Sequence, residues 1–364
     1  MSKRRKTIVL TGGGTAGHVT PNVALIPELK KRGYKVYYIG SKDGPEREMM
    51  RELKVPYYAV KTGKFWRYIT WHNLTAPFRV LRGYNMAKLA FDIIKPDVVF
   101  SKGGFVAVPV VTAAQKLGIP TIIHESDMTP GLANKICMRK AKKVCCNFPE
   151  TVDTFPKGKA LVTGTPIRKE LYSGDRQKGL EFTGLSGKKP VLLAMGGSQG
   201  AGAVNDAIRG SLDELLETFD IVHLCGEGKL DEAYAGREGY VQYEYISAEL
   251  PDLFALCDMV VSRAGANAIF ELLSLKKPAL LIPLGLNQSR GDQILNAESF
   301  KKQGFVEVLD ETTMTRQEFT DTVEKMYKNR ETYIANMNKY TGMNSIKVIA
   351  DLIDEVCAEN KIGA

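Results

Sequence analysis

Three glycine clusters, each entered from a short apolar run, set the chemistry open to this chain. They are Leu10-Thr11-Gly12-Gly13-Gly14-Thr15-Ala16-Gly17-His18, Ser101-Lys102-Gly103-Gly104 and Ala194-Met195-Gly196-Gly197-Ser198-Gln199-Gly200-Ala201. Glycines at a strand end allow a tight turn without a Cβ clash. The helix that follows offers unpaired N–H groups and a partial positive charge, a combination that binds phosphate or diphosphate. Gly12, Gly14 and Gly17 also fit the Gly-x-Gly-x-x-Gly spacing of dinucleotide sites. The acidic residue that would hold a ribose about 20 positions on is missing, because Gly40-Ser41-Lys42 stands at the end of the second apolar run. No cluster ends in the Gly-Lys-Ser/Thr of an ATPase phosphate loop.

His18 follows the first glycine turn, where ligands bind outside the strand ends of an open α/β sheet. There it is placed to take a proton from an attacking hydroxyl; capping a helix or bonding a phosphate is its plainer role. His124 and Glu125 end another apolar run, while His72 reads as a surface residue and His223 as a core one. In the second half, Ser262-Arg263-Ala264-Gly265-Ala266 enters a helix in which Glu271 could accept two hydrogen bonds from a ribose diol. Asp292-Gln293 follows a polar loop suited to sugar hydroxyls, and no His/Cys/Asp/Glu cluster has metal-ligand spacing.

These residues need rigid elements behind them. Short β-branched runs such as 7–10, 36–39, 97–100, 121–123 and 144–146 alternate with helical stretches such as 23–32, and the pattern repeats at 191–194, 221–224, 241–245, 259–261 and 279–282. The reading is a doubly wound α/β unit, twice. A length of 364 residues fits two domains, with a boundary near Gly164-Thr165-Pro166. Six cysteines without Cys-x-x-Cys spacing read as reduced core thiols of a cytosolic protein. The longest apolar run, 105–114, falls far short of the about 20 residues that span a bilayer.

Charge divides unevenly: residues 1–170 carry a net +18 and residues 171–364 a net −9. A basic half suits a polyanionic surface, either membrane or nucleic acid. Between Lys61 and Tyr84, Phe65, Trp66, Trp71 and Phe78 interleave with Arg67, Arg79 and Arg82. Such a mixture suits the headgroup boundary of an anionic bilayer. Base stacking would use similar residues, and the edge of a core would also contain them.

Seven ordered motifs together resemble the MurG family of peripheral membrane glycosyltransferases, which make lipid II in bacterial cell-wall synthesis. They are Gly-Gly-Gly-Thr-Ala-Gly-His-Val at 12–19, Gly-Gly-Phe at 103–105, His-Glu-Ser-Asp at 124–127, Gly-Thr-Pro-Ile-Arg at 164–168, Gly-Gly-Ser-Gln-Gly-Ala at 196–201, Ser-Arg-Ala-Gly-Ala-x-x-x-x-Glu at 262–271 and Asp-Gln-x-x-Asn-Ala at 292–297. The resemblance implies a GT-B fold: two Rossmann-like parallel-sheet domains separated by a cleft. Residues 1–165 would be the acceptor and membrane domain, with the 345–364 helix packing back on it, and residues 166–344 the UDP-sugar domain. The implied reaction moves N-acetylglucosamine, with inversion, from UDP-N-acetylglucosamine to the C4 hydroxyl of undecaprenyl-diphospho-N-acetylmuramoyl-pentapeptide. A UDP-sugar:diacylglycerol-type glycolipid synthase of the same fold is the alternative.

Carried onto matching positions, His18 would be the catalytic base. Thr15, Ala16, Gly17, Asp127, Arg168, Ser198, Ile246, Ala266, Glu271 and Gln293 would face the donor. Gly14, Gly103, Gly104, Phe105, His124 and Glu125 would face the acceptor. Phe65, Trp66, Trp71, Phe78, Arg79 and Arg82 would meet the membrane. No cofactor, protein-bound metal or nucleic acid is expected. The implied location is the cytoplasmic face of the bacterial membrane, with other cell-wall synthesis proteins as further partners.

Overall fold

The computed structural model describes residues 5–63, 71–197, 200–342 and 344–362. These divide into two compact units, Met1–Arg168 with Asn344–Ala364, and Lys169–Met343. The first is built on a sheet of β1 (Thr7–Thr11), β2 (Lys35–Ser41), β3 (Tyr57–Val60), β4 (Val98–Ser101), β5 (Thr121–Glu125), β6 (Lys143–Cys146) and β7 (Ala160–Val162). Its order is β3-β2-β1-β4-β5-β6-β7, with every pairing parallel. The second contains β8 (Val191–Met195), β9 (Asp220–Leu224), β10 (Tyr240–Tyr243), β11 (Met259–Ser262), β12 (Ala279–Leu281) and β13 (Val306–Val308). Its order, β10-β9-β8-β11-β12-β13, repeats that of the first unit's leading six strands, again all parallel.

Parallel strands are covered on both faces, so their sequences run apolar without alternation. Ile8, Val9 and Leu10 of β1 and Leu192, Leu193 and Ala194 of β8 are accordingly fully buried. In each unit the strand order reverses between the first and fourth strands. Their carboxyl ends form the topological switch point, where open α/β sheets bind ligands. The glycine turns of both units leave the sheet at these points. In the first unit, Ile349, Ile353 and Val356 of the Ser345–Ile362 helix enter the same core as β1 and β4. Asp354 fixes that helix by meeting Lys6 at 2.8 Å, Arg32 at 2.9 Å and the Tyr34 hydroxyl at 2.8 Å.

All six cysteines are buried and unbridged. Burial pushes the Cys137, Cys145 and Cys146 thiols up to about 12 and Cys257 to about 11. Thiolate is the reactive form, so a disulfide-exchange reagent should find no fast thiol in the folded chain and all six after unfolding. A thiol reacting within seconds under native conditions would contradict this packing.

Candidate active site

The first glycine turn is held from below by side chains that the sheet supplies. The Tyr38 hydroxyl donates to the Gly12 carbonyl at 2.7 Å, and Asn22 Nδ2 donates to the Thr11 carbonyl at 3.1 Å. Glu46, fully buried in the first turn of the Pro45–Glu52 helix, accepts from the Ser41 N–H at 2.9 Å and the Gly14 N–H at 3.3 Å. A Cβ on Gly13 would collide with that carboxylate. Glu46 therefore fixes the turn, and sequence reasoning missed it. Gly44-Pro45 signals a helix start, but a partner 32 residues upstream leaves no local mark.

Two backbone loops press against each other here. Gly14 (φ +87°) lies where a Cβ would strike the Phe105 ring. At Gly104 (φ +78°) a Cβ would sit 2.5 Å from the Gly13 carbonyl oxygen and 3.3 Å from His18 Cγ. The turns after β1 and β4 thus form one surface, with His18 on it. His18 ends the short 3-10 turn Ala16–His18, half-buried, with Nδ1 2.9 Å from Thr15 Oγ1. Thr15 and Gly17 are exposed beside it and Ala16 is partly so.

His124 and Glu125 differ from the direct acceptor contact expected of them. His124 is fully buried, with Nε2 2.9 Å from the Gly164 carbonyl oxygen. Burial, reinforced by the Lys102 charge, holds its ring well below the usual histidine value, so it is neutral. Glu125 is buried too, its carboxylate accepting from the Gly131 and Asp127 N–H groups and from Asn134 Nδ2. Burial and the nearby Asp127 push its carboxyl up. Both side chains face inward from the end of β5, Glu125 holding the 126–131 loop and His124 meeting Gly164, and they do not present themselves to a ligand. Lys102, another residue the sequence left without a role, donates to Ser126 Oγ. Its ammonium is pulled down to about 8 by burial, against the opposing pull of Glu125 and Asp127.

The second unit repeats the scheme with other partners. Gly200 packs directly on the Cys225 carbonyl, to which Asn205 Nδ2 also donates at 3.0 Å. Asn205 Oδ1 lies 3.0 Å from His223 Nε2, whose Nδ1 meets the Tyr240 hydroxyl at 2.9 Å. Burial, followed by the Arg209 charge, pulls His223 down to about 3, so this network stays neutral while it pins the turn after β8. After β11, Gly265 caps the Ala266–Ser274 helix; Ala266 is buried at its first position and Glu271 is partly exposed.

Arg263 and Glu311, nearly buried and 2.6 Å apart, clamp the loop that follows β12. Arg263 donates to the Ile282 and Pro283 carbonyls, and Glu311 accepts from the Gly285 N–H at 2.8 Å. Gln293 Oε1 accepts from the Leu284 N–H at 3.1 Å. Asp292 is ion-paired with Arg290 at 2.7 Å. Ile246, in the chain segment between β10 and the Leu250–Leu256 helix, is buried. Arg168, the last residue of the first unit, keeps a buried Nε without a hydrogen-bond partner among the described residues.

Ser198, Phe65 and Trp66 lie outside the described residues, as does the side chain of Trp71. Phe78, at 71% exposure, and Arg79 and Arg82 project from the exposed side of the Trp71–Ile94 helix. Beside that helix an apolar cavity of about 620 Å³ is lined by Leu81, Tyr84, Phe105, Leu132 and Ile136 among others. Among the described residues no helix is long and apolar enough to cross a membrane, and no three His, Cys, Asp or Glu side chains group as a metal site.

Two parallel-sheet units with glycine turns at their switch points have the GT-B architecture of nucleotide-sugar glycosyltransferases. Solved structures agree: the chain superposes on MurG of Acinetobacter baumannii with a TM-score of 0.75, at 26% identity over 96% of this chain and 99% of that one. A kitacinnamycin glycotransferase, at 16% identity, shares the fold with a TM-score of 0.77 over 97% and 100%. Residues 8–146 match the glycosyltransferase family 28 N-terminal domain, and residues 191–353 match its C-terminal domain. Relatives from Lachnospira eligens (57% identical, 96% of this chain and 99% of the relative) and Geobacillus thermodenitrificans (53%, 96% and 98%) are each named UDP-N-acetylglucosamine--N-acetylmuramyl-(pentapeptide) pyrophosphoryl-undecaprenol N-acetylglucosamine transferase. The chain belongs to glycosyltransferase family 28 and, within it, to the MurG family.

Proposed function

We propose that the chain transfers N-acetylglucosamine from UDP-N-acetylglucosamine to the C4 hydroxyl of a polyprenyl-diphospho-N-acetylmuramoyl-pentapeptide, converting lipid I into lipid II. The observation that carries this reading is the near-full-length identity to relatives with that activity in their names, joined to intact glycine turns in both units.

The chemistry is one in-line displacement. The acceptor C4 oxygen bonds to the sugar's anomeric carbon as the bond from that carbon to the UDP oxygen breaks. The hydroxyl proton passes to His18, the electron pair leaves with UDP, and the anomeric centre inverts to a β-1,4 link. His18 Nδ1 lies 2.9 Å from Thr15 Oγ1, and in the tautomer that carries its proton on Nδ1 the ring takes the hydroxyl proton at Nε2. Thr15, Ala16 and Gly17 face the transferred sugar and diphosphate, and Gly14, Gly103, Gly104 and Phe105 face the acceptor.

Backbone N–H groups at the start of the Gly202–Gly210 helix stabilise the leaving diphosphate, with Ser198 near a phosphate and Arg168 contacting the donor. Ile246 offers its backbone to uracil, Glu271 holds the ribose, and Ala266, Gln293 and Asp127 border the sugar. Gln293 does so through its amide nitrogen, since its oxygen is engaged by Leu284. The reading needs no resident metal or cofactor.

The apolar side of the Trp71–Ile94 helix rests on the cytoplasmic surface of an anionic membrane. Burying Phe78 and Leu81, now 71% and 58% exposed, contributes about 1.5–3 kcal/mol each, and the basic half adds attraction to anionic headgroups. The test is to incubate the purified chain with radiolabelled UDP-N-acetylglucosamine and a short-chain acceptor. Label should enter a β-1,4-linked, lipid-extractable product. Retention of all label in the aqueous donor would overturn the assignment.

A further inference from the structure

The acceptor carries three limbs on one sugar: the reacting hydroxyl, the diphosphate with its lipid, and a peptide. If the reading above holds, the first two lie at His18 and at the glycine turns, so the peptide must leave in another direction. Phe105 forms a wall shared by two cavities of the first unit, each of about 620 Å³. One is the apolar cavity already described. The other starts at Gly14, crosses the carboxyl ends of β2 and β3, and is lined by Lys42, Lys61, Arg79 and Arg82. Among its described lining residues Asp43 is the one carboxylate, and none of those four cations is ion-paired with a described carboxylate. Its floor is apolar, with Val60 and Met86. Such a volume is that of a small-molecule or short-peptide site and far exceeds one diphosphate.

We propose that this basic pocket seats the anionic peptide of the acceptor, with Arg79 and Arg82 bonding its carboxylates. Arg79 and Arg82 then act on substrate in addition to any role at the membrane surface. A peptide attached through its amino end keeps at least its terminal carboxylate, and a guanidinium meets a carboxylate in a two-pronged geometry that a lysine lacks.

The experiment compares two soluble short-chain acceptors without any membrane: the full pentapeptide form, and a form whose lactyl carboxyl is capped as a simple amide. The natural chain should prefer the pentapeptide acceptor in kcat/KM by about tenfold or more, the size of one charge-assisted hydrogen bond. In an Arg79→Gln/Arg82→Gln variant that preference should collapse to within about threefold, through a rise in KM for the pentapeptide acceptor. Both arginines are exposed, so the fold should tolerate the change. A variant that slows equally on both acceptors would overturn the proposal and assign the cations to the diphosphate. A variant that keeps the natural preference but leaves anionic vesicles more readily would assign them to lipid headgroups instead. Failure of the natural chain on both acceptors would remove the transferase reading itself, and the pocket's role with it.

Discussion

Replacing His18 with alanine should lower kcat by about 10²–10⁴, the usual contribution of a positioned general base, while donor affinity stays nearly constant. Among the described residues, nothing else on the surface formed by the two glycine turns offers a comparable proton acceptor. Glu46 and Glu125 are buried and committed to backbone N–H groups. His124 is buried against Gly164. Single-turnover rates would report the chemical step, and calorimetric titration with UDP would report donor binding. If His18 instead bonds a phosphate, the same substitution weakens binding and spares kcat, and the base assignment fails. Thr15→Val, which removes the ring's hydroxyl partner, should give a smaller loss in kcat of the same kind.

Gly104→Ala should have the next largest effect, a loss of about 10² in kcat/KM together with about 1–3 kcal/mol of stability. The new methyl group meets the Gly13 carbonyl at 2.5 Å and the His18 ring at 3.3 Å. The first contact is with backbone, which cannot swing aside as a long side chain would. The positive φ of +78° adds a backbone cost of roughly 1–2 kcal/mol. Relief requires the two turns to part, and a shift of about 1 Å at the base is enough to produce a loss of that order. Gly118→Ala is the control: its φ is +73°, but nothing lies within 4 Å of the added Cβ. It should cost stability alone. Equal activity in both variants, measured beside denaturant unfolding, would show that the apposition of the turns is not needed for catalysis.

The central strands were legible in the sequence because a parallel strand buried on both faces is an uninterrupted apolar run, and the glycine clusters after β1, β4 and β8 marked where those strands end. The edge strands β3 and β13 were not. Tyr-Tyr-Ala-Val and Val-Glu-Val are short and only partly buried, so their pairing comes from tertiary context. Site residues close to a glycine turn in the chain, such as His18 and Thr15, could be found from local pattern. Those that act across the sheet could not. Glu46 reaches Gly14, and Glu311 reaches Gly285 and Arg263, over 26 to 48 residues of chain. His124 and Glu125 were read as facing the acceptor because they end a strand; which way a strand-end side chain turns is decided by its neighbours, here Gly164 and Asn134. Arg79 and Arg82 were assigned to the membrane from composition, and only the fold brings them to the same pocket as Gly14.

The central claim is the identity of the acceptor, and the most direct test offers both acceptor classes at once. The purified chain is given UDP-N-acetylglucosamine with a short-chain polyprenyl-diphospho-muramoyl-pentapeptide, and in parallel UDP-galactose with diacylglycerol; the products are resolved by mass. Transfer confined to the muramoyl acceptor is the predicted result. Galactosyl-diacylglycerol as the sole product would contradict it: the two-domain fold and the UDP site would stand, while Gly103, Gly104 and Phe105 would lose their assignment to a diphosphate-linked sugar.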